Sequence, residues 1–296
     1  MKVLVTGSAG QLGSYVCEAL RGRHEISGLD LRPAAPGLRS ISHRGDIRRR
    51  TDVRKSLRNV EAVVHCAAQV SVELSTEDPL GDAKTNVLGT LNLLDEAYRS
   101  SVAKFIYVSS AAVYGNPRRV PVDEAHPTEP MSNYGASKLS GEKYALAYAQ
   151  STPIQASVIR PFNFYSVRAD PKSPYSGVMT KFVTRVKAGK PPIIEGDGKQ
   201  TRDFVHVRDV VEMIRLMLEN EGLSGQVFNC GSGKATTVLS LAKMAIELGG
   251  KDLEPEFTDA RRGDIRHSQA DIRRARKALG FVPRVKLREG LAEMLR

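Results

Sequence analysis

Two residues in the middle of the chain could carry out acid–base chemistry. Tyr134 and Lys138 stand at positions i and i+4 of the run Tyr-Gly-Ala-Ser-Lys, which places a phenol and an ammonium on one face of a helix. A free phenol has a pKa of about 10, so a tyrosine acting as a base near neutral pH needs a pKa lowered by about 3 units. Lys138 can supply part of that shift. The same spacing is also common on solvated helix faces, so the interpretation needs support from other motifs.

A glycine-rich turn near the start of the chain could hold a pyrophosphate. The run Thr6-Gly-Ser-Ala-Gly-Gln-Leu-Gly13 follows a short apolar strand and opens a helix, and its glycines let backbone N–H groups approach phosphate oxygens. Asp30 closes the next predicted strand, where a carboxylate accepts hydrogen bonds from ribose hydroxyls and repels a 2′-phosphate. The pattern therefore favours NAD over NADP, although Arg32 weakens that preference. The alternative is a plain glycine turn with a capping aspartate.

Strands and helices that alternate along the chain are predicted to position these groups. The predicted strands are 2–6, 24–29, 60–68, 104–110, 154–159 and 226–230, and the predicted helices are 12–20, 79–99, 134–150, 179–187 and 209–219. This alternation is typical of parallel βαβ units. We therefore expect an α/β fold, a doubly wound parallel Rossmann sheet with a smaller, partly interleaved α/β substrate domain. The NAD-binding domain is predicted over 1–160 plus about 203–232, and the substrate domain over 161–202 plus 233–296.

Composition and charge narrow the class of protein. The chain has 296 residues, of which 41% are hydrophobic and 26% are charged, close to globular averages. Its longest apolar run is too short for a membrane helix and no signal-peptide pattern is present, so a cytoplasmic protein without membrane contact is expected. Cys17, Cys66 and Cys230 are too few and too widely spaced to indicate disulfides or a metal site. The net charge of +11 suits anionic partners, but the basic clusters 44–58 and 261–277 contain no aromatic residue, so nucleic-acid binding is not expected.

Several motifs taken together resemble the extended short-chain dehydrogenase/reductases, and within them the NAD-dependent sugar epimerase/dehydratase group that includes UDP-glucose 4-epimerases. The motifs are 6–13, His65-Cys-Ala-Ala68, Asn86-Val-Leu-Gly-Thr90, Ser109-Ser-Ala-Ala-Val-Tyr-Gly115, 134–138, Arg160-Pro-Phe-Asn163, 196–209 and Arg261-Arg-Gly-Asp264. The likeness extends over essentially the whole chain. It implies an NAD-dependent enzyme that acts on a nucleotide sugar.

The resemblance implies a role for each matching residue. Ser110 would hydrogen-bond the reacting sugar oxygen, Tyr134 would be the base, and Lys138 would lower the pKa of Tyr134 and bind the nicotinamide ribose. The implied NAD-binding residues are Gly7, Ala9, Gly10, Gln11, Leu12, Gly13, Asp30, Leu31, Asp46, Ile47, Ala67, Ala68, Asn86, Ser109, Tyr134, Lys138 and Pro161. The implied substrate-binding residues are Ser110, Ala111, Asn163, Arg202, Arg261 and Ser268. The two arginines would clamp the sugar diphosphate, because a guanidinium can bind phosphate oxygens bidentately.

Two alanines decide which reaction the resemblance implies. Dehydratases of the group carry Asp-Glu directly after the catalytic Ser or Thr, and decarboxylases carry a carboxylate two positions before the tyrosine of Val-Tyr-Gly, whereas this chain has Ala111 and Ala112. NAD-dependent 4-epimerisation of a UDP-hexose through a 4-keto intermediate is the expected reaction, and a nucleotide-sugar 4-reductase or dehydrogenase is the alternative. A non-catalytic dinucleotide-binding scaffold would typically lack Ser110 or Tyr134. His65, where the group often has asparagine, is expected to be a packed core residue.

The resemblance also suggests a homodimer and a residue that selects the sugar. Helices at about 80–99 and 134–150 would pack against their symmetry mates, and Tyr144-Ala-Leu-Ala-Tyr-Ala149 has few polar positions for a solvated face. Burial of that run within one chain is the alternative. Ser268 would lie near the 2-substituent of the sugar and leave room for an N-acetyl group, so both plain and N-acetylated UDP-hexoses are expected substrates. A loop position away from the pocket is the alternative for Ser268.

Overall fold

The computed structural model describes residues 1–171, 177–260 and 263–296. These residues contain thirteen strands and eleven α-helices. The strands are β1 (Lys2–Thr6), β2 (Glu25–Asp30), β3 (Ser42–Arg44), β4 (Ala62–His65), β5 (Lys104–Val108), β6 (Gln155–Pro161), β7 (Asn163–Tyr165), β8 (Ile193–Glu195), β9 (Thr201–Arg202), β10 (Phe204–His206), β11 (Val227–Cys230), β12 (Thr236–Thr237) and β13 (Glu256–Thr258). The helices are α1 (Gln11–Leu20), α2 (Arg50–Ser56), α3 (Val72–Glu77), α4 (Pro79–Ala83), α5 (Gly89–Arg99), α6 (Asn133–Ser151), α7 (Val178–Lys187), α8 (Val207–Glu219), α9 (Val238–Leu248), α10 (Arg273–Leu279) and α11 (Leu287–Leu295).

The central sheet has seven parallel strands in the order β11-β6-β5-β4-β1-β2-β3. Its inner strands are buried on both faces, as the unbroken apolar run Val3-Leu4-Val5 at 0% exposure shows, because helices cover both sides. Helices α1 and α8 pack on one face, and α2, α5 and α6 pack on the other. The predicted doubly wound parallel α/β sheet is confirmed.

A second apolar cluster lies beyond the central sheet. It joins α7, α9 and α11 around Phe182, Leu241 and Leu291, with Ile194 of β8 beside them. Helix α8 and strand β11 return to the central sheet, and α10 packs there as well through Ala275 and Leu279. The smaller unit is therefore interleaved with the larger one along the chain. The domain boundaries given above remain predictions.

Some elements differ from those predicted. The strand predicted over 60–68 is only β4, because the chain leaves the sheet after His65 and brings the backbone of Ala67 against Gly7. The helix predicted over 79–99 is interrupted by a π-helical turn at Lys84–Leu88 between α4 and α5. Strand β3 and helix α3 were not predicted. None of the described helices is long and apolar enough to span a bilayer.

Candidate active site

The carboxyl ends of the central strands open onto two neighbouring cavities. One measures about 480 Å³ and is bordered by Ala9, Gly10, Gln11 and Arg32 of the glycine-rich side, together with Asn163. The other measures about 230 Å³ and contains the residues that resemble a sugar site, namely Ser110, Ala111, Tyr134, Pro161, Asn163, Arg202 and Ser268. Because Asn163 borders both cavities, the dinucleotide side and the sugar side are adjacent. This edge of a doubly wound sheet is where such folds bind ligands.

The glycine-rich turn has a geometry that only glycine allows at two positions. Gly7 has φ +70°, in the left-handed region that favours glycine. A Cβ on Gly13 would lie 2.1 Å from the carbonyl oxygen of Gly7, so the start of α1 can approach β1 only with glycine there. The turn precedes the N-terminus of α1, which offers unpaired N–H groups and partial positive charge to an anion. These features fit the pyrophosphate of a dinucleotide.

Asp30 lies against this turn, as the sequence predicts. One carboxylate oxygen accepts a hydrogen bond from the N–H of Ala9 at 2.9 Å, and the other accepts from the N–H of Arg32 at 2.8 Å. The guanidinium of Arg32 reaches back to the carbonyl oxygen of Ala9 at 3.2 Å. The carboxylate is thus held at the end of β2, where an adenosine ribose would lie beside a dinucleotide bound to the turn.

The other implied cofactor residues occupy different surroundings. Leu31 is exposed, whereas Leu12 and Ile47 are buried, and Ile47 packs on Gly89 of α5. The Asp46 carboxylate is held by Arg48, whose guanidinium hydrogen-bonds to it at 2.7 to 3.0 Å and keeps the pKa of Asp46 below its usual value. Ala67 and Ala68 continue from β4 in partly buried loop positions.

Two further implied cofactor residues have side chains that are directed into the protein. The Ser109 hydroxyl donates to a Glu142 carboxylate oxygen at 3.0 Å. The amide of Asn86 bonds to groups of the loop after β4 and of α6. In this structure both residues therefore support the site from behind through their side chains.

Ser110, Tyr134 and Lys138 meet at the sugar-side cavity. Ser110 follows β5 and accepts a hydrogen bond from the N–H of Ala112 at 3.1 Å, and it lines the same cavity as Tyr134. Ser132 caps α6 by accepting from the N–H of Gly135 at 3.0 Å, which starts the helix that carries the other two residues. Lys138 is 3% exposed, and its ammonium lies 4.4 Å from the ring centroid of Tyr107.

The electrostatics of this trio are set mainly by burial. Burial raises the pKa of Tyr134, and the influence of the Ser110 hydroxyl offsets only part of this effect. Burial lowers the pKa of Lys138 to about 8, against the opposing influence of Cys66, Asp82 and Glu142. In the protein by itself the pKa of Tyr134 thus moves away from the value that a base requires. The predicted lowering needs positive charge from a bound group in addition to Lys138.

His65 is a core residue in this structure. Its ring is 1% exposed and bonds to the hydroxyls of Thr6 at 2.7 Å and Thr90 at 3.0 Å. Burial lowers the pKa of His65 to about 3, with a smaller effect from the nearby Lys138 ammonium. The ring is therefore neutral and ties β4 to β1 and α5, in agreement with a packing role.

The implied substrate residues that the structure describes line one cavity. Arg202 of β9 borders the sugar-side cavity and donates to the Asp264 carboxylate at 2.5 Å. Ser268 is 8% exposed, and its N–H donates to the carbonyl oxygen of Thr201 at 3.1 Å, which fixes it in the cavity wall. Arg261 lies outside the described residues.

The sequence reasoning missed three buried charged residues behind the site. Glu142 is 0% exposed and pairs with Arg160 of β6, whose Nε donates to it at 3.0 Å. Arg160 also donates to the hydroxyl of Tyr114 at 2.7 Å. Asp82, at the end of α4, is 2% exposed. Glu142 stands four positions after Lys138, which was the one signal in the sequence that could have identified it.

Comparison with known proteins defines the family. The family model for the NAD-dependent epimerase/dehydratase family matches residues 3–231. The UDP-glucose 4-epimerase of Mycolicibacterium smegmatis is 37% identical over 305 residues, which cover 99% of this chain and 97% of that protein. The crystal structure of the Thermotoga maritima UDP-glucose 4-epimerase with UDP-glucose has a TM-score of 0.94 at 36% identity, covering 100% of this chain and 97% of that one. The Thermus thermophilus UDP-glucose 4-epimerase complex with NAD has a TM-score of 0.90 at 34% identity, covering 100% and 98%.

The chain therefore belongs to the NAD-dependent epimerase/dehydratase family, as the motifs indicated. It is an enzyme, and NAD is its cofactor. The glycine turn, the Asp30 carboxylate and the adjoining cavity of about 480 Å³ fit that dinucleotide.

Proposed function

We propose that this enzyme interconverts UDP-hexoses by epimerisation at carbon 4. The observation that carries the proposal is the sugar-side cavity, where Ser110, Tyr134 and Arg202 converge while Ala111 and Ala112 line the wall beside the base. Those alanines offer no carboxyl group for dehydration or decarboxylation. The UDP-glucose 4-epimerases similar to this chain over nearly its whole length support the same reaction.

The cofactor would lie along the glycine turn with its ribose toward Asp30. The N–H groups at the start of α1 would bind the pyrophosphate, and Lys138 would contact the nicotinamide ribose. When bound, NAD supplies a reversible hydride acceptor and, in its oxidised form, a positive charge near the reacting groups. Such a charge would oppose the effect of burial on the pKa of Tyr134.

The protein's own groups handle the proton. Tyr134 accepts the proton of the 4-hydroxyl, and Ser110, which lines the same cavity, would hydrogen-bond the same sugar oxygen. Lys138 favours the phenolate by its charge. The 4-keto sugar then turns over within the cavity, and Tyr134 returns the proton once the opposite face is presented.

The nucleotide end of the substrate must stay fixed while the sugar turns. Asn163 borders both cavities and Arg202 borders the sugar-side cavity, where the two could hold the diphosphate of a UDP-sugar. Arginine suits this task because its planar guanidinium binds phosphate oxygens at two points. A fixed diphosphate lets the small hexose rotate without release.

Tyr134→Phe tests the reaction and the base together. The variant keeps the ring but loses the hydroxyl, so conversion of UDP-glucose to UDP-galactose should fall by at least about 100-fold, while bound NAD stays stoichiometric. Tyr144→Phe on the same helix is the matched control and should keep normal turnover, because Tyr144 lines neither cavity. Near-normal turnover by Tyr134→Phe, or a wild type that accumulates NADH instead of epimer, would refute the proposal.

Ser268 supports activity on N-acetylated hexoses as well. Its small side chain forms part of the sugar-side cavity wall, so Ser268→Tyr should exclude the larger sugars while sparing UDP-glucose. The measurement is kcat/KM of the wild type and of Ser268→Tyr, each with the plain and with the N-acetylated UDP-hexoses. A wild type inert on N-acetylated sugars, or equal loss of both activities in the variant, would contradict this assignment.

A homodimer through α5 and α6 is proposed for the assembly. The surface that includes these helices exposes Leu80 at 71%, Leu88 at 54%, Tyr98 at 48% and Tyr144 at 41%, which is unusual for a fully solvated face. Light scattering should give about twice 32.4 kDa at micromolar concentration, and a species of 32.4 kDa alone would count against the dimer.

A further inference from the structure

A buried acid that the proposed chemistry does not use lies behind Lys138. Asp82 is 2% exposed at the end of α4. Its Oδ1 accepts hydrogen bonds from the side-chain amides of Gln69 at 2.9 Å and Asn86 at 3.0 Å. Both of these partners are neutral. Burying a carboxylate among neutral amides is unfavourable unless its charge interacts with a cation, so the position of Asp82 calls for an explanation.

The amide of Asn86 connects Asp82 to the helix that carries the base. Asn86 Nδ2 also lies 3.0 Å from the Ser137 hydroxyl, and Ser137 donates to the carbonyl oxygen of Tyr134 at 3.0 Å. On its other side, Asn86 Oδ1 accepts from the N–H of Gln69 at 2.8 Å. Asn86 lies in the π-helical turn, a deviation from regular helix that is frequent at functional sites. A line of hydrogen bonds thus runs from Asp82 to the first turn of α6.

Lys138 is a buried cation beside this junction, because it directly follows Ser137 on α6 and is 3% exposed. The titratable groups that face it are His65 and Cys66 after β4, Asp82 from α4, Tyr107 from β5, and Tyr134 and Glu142 from α6. Burial keeps the His65 ring and the Cys66 thiol neutral. The Glu142 carboxylate is already paired with Arg160. Asp82 is the remaining acid whose charge is not matched by a guanidinium.

We propose that Asp82 is a positioning residue for the reaction. Its carboxylate fixes the Tyr134–Lys138 segment through Asn86 and Ser137, and its negative charge favours the charged form of the buried Lys138 side chain. The inference rests on the proposed function, because it assigns Asp82 a role only through Tyr134 and Lys138. The burial that lowers the pKa of Lys138 to about 8 is opposed by Asp82, and the same carboxylate contributes to the raised pKa of Tyr134.

Asp82→Asn removes the charge and keeps an oxygen that can accept from Asn86 and Gln69. The pKa values of Tyr134 and Lys138 should both fall, so both limbs of the pH profile of kcat/KM should move to lower pH by about one unit. A residue with only a structural role would lower activity at every pH and leave the limbs in place. Bound NAD, measured by extraction and absorbance, should stay at the wild-type level.

Two other variants separate position from charge. Ser137→Ala breaks the line of hydrogen bonds without altering any charge, so kcat should fall about 5-fold to 10-fold with both limbs unmoved. Asp82→Glu keeps the charge, so its limbs should stay at the wild-type pH values. Asp252→Asn, an exposed aspartate on a loop, controls for loss of one negative charge and should match the wild type.

The outcomes are distinguishable from those for the proposed function. If Asp82→Asn folds and both limbs of its pH profile of kcat/KM stay at the wild-type pH values, the electrostatic role is wrong. If Ser137→Ala has the wild-type kcat, the positioning role is wrong. If circular dichroism shows that Asp82→Asn does not fold, Asp82→Glu and Ser137→Ala decide: a limb shift in either one contradicts the inference. Near-normal turnover of UDP-glucose by Tyr134→Phe would instead contradict the proposed function itself.

Discussion

Replacing Glu142 by Gln should destabilise the protein far more than its small change in size suggests. Glu142 and Arg160 are 0% and 3% exposed, and the glutamine would turn an amide NH2 toward a guanidinium that cannot lose its proton. Removing one partner of a buried ion pair costs about 3 to 5 kcal/mol, because the other charge stays in the interior without a counter-charge. At about 2 °C per kcal/mol for a chain of this length, Tm should fall by about 6 to 10 °C.

Thermal unfolding of the NAD-loaded protein, followed by circular dichroism, measures this change. The matched control is Glu247→Gln, which breaks the pair with Arg288, whose guanidinium donates to both oxygens at 2.6 and 2.9 Å. Both partners of that pair are exposed, so Tm should stay within about 2 °C of the wild type. Equal Tm values for the two variants would show that burial of the Glu142–Arg160 pair does not carry the predicted penalty.

Two shorter predictions concern the cofactor turn and the ion pairs of the buried Glu96 carboxylate. Gly13→Ala places a Cβ 2.1 Å from the Gly7 carbonyl oxygen, so the amount of bound NAD should fall by at least about tenfold. Gly37→Ala is the control and should retain NAD, because its Cβ meets no atom within 4 Å. Equal NAD contents in the two variants would contradict this prediction. Hydrogen bonds from Arg54 and Arg50 lower the pKa of Glu96 to about 2, below the ordinary 4.5, so their stabilisation is present above pH 4.5 and is lost as the pH falls toward 2. The Tm of Glu96→Gln should therefore fall less than that of the wild type over this range, and identical slopes would count against it.

The sequence predicted the elements whose apolar residues recur with a clear strand or helix period. It missed the elements that form only through tertiary contacts. Strand β1 and helix α1 are visible as an apolar run followed by helical spacing, and the turn between them follows from its glycines. Strand β3 has only three residues, Ser-His-Arg, and is a strand because it pairs with β2 at the sheet edge. Helix α3 has six residues and depends on its cap, the Ser71 hydroxyl, so it has too few turns for a period to show.

The candidate site shows the same division. The spacing of Tyr134 and Lys138 is local to one helix, so it could be read directly from the sequence. Asp82 and Arg160 come from separate elements, and only folding brings them behind α6. The direction of the Tyr134 pKa could not be predicted either, because it depends on burial by segments far away along the chain.

The pair between Arg202 and Asp264 has a consequence for selectivity. A chain with net charge +11 attracts many phosphorylated metabolites and inorganic anions. Arg202, however, already has an internal anion as its partner, the Asp264 carboxylate at 2.5 Å. Any incoming ligand must compete with that carboxylate, so a single weakly held phosphate gains little by displacing it. A diphosphate tethered at both ends, to a nucleoside and to a sugar, binds through several contacts at once and can make the exchange favourable. If Arg202 binds the substrate diphosphate as proposed, Asp264 would compete with small anions for the same guanidinium.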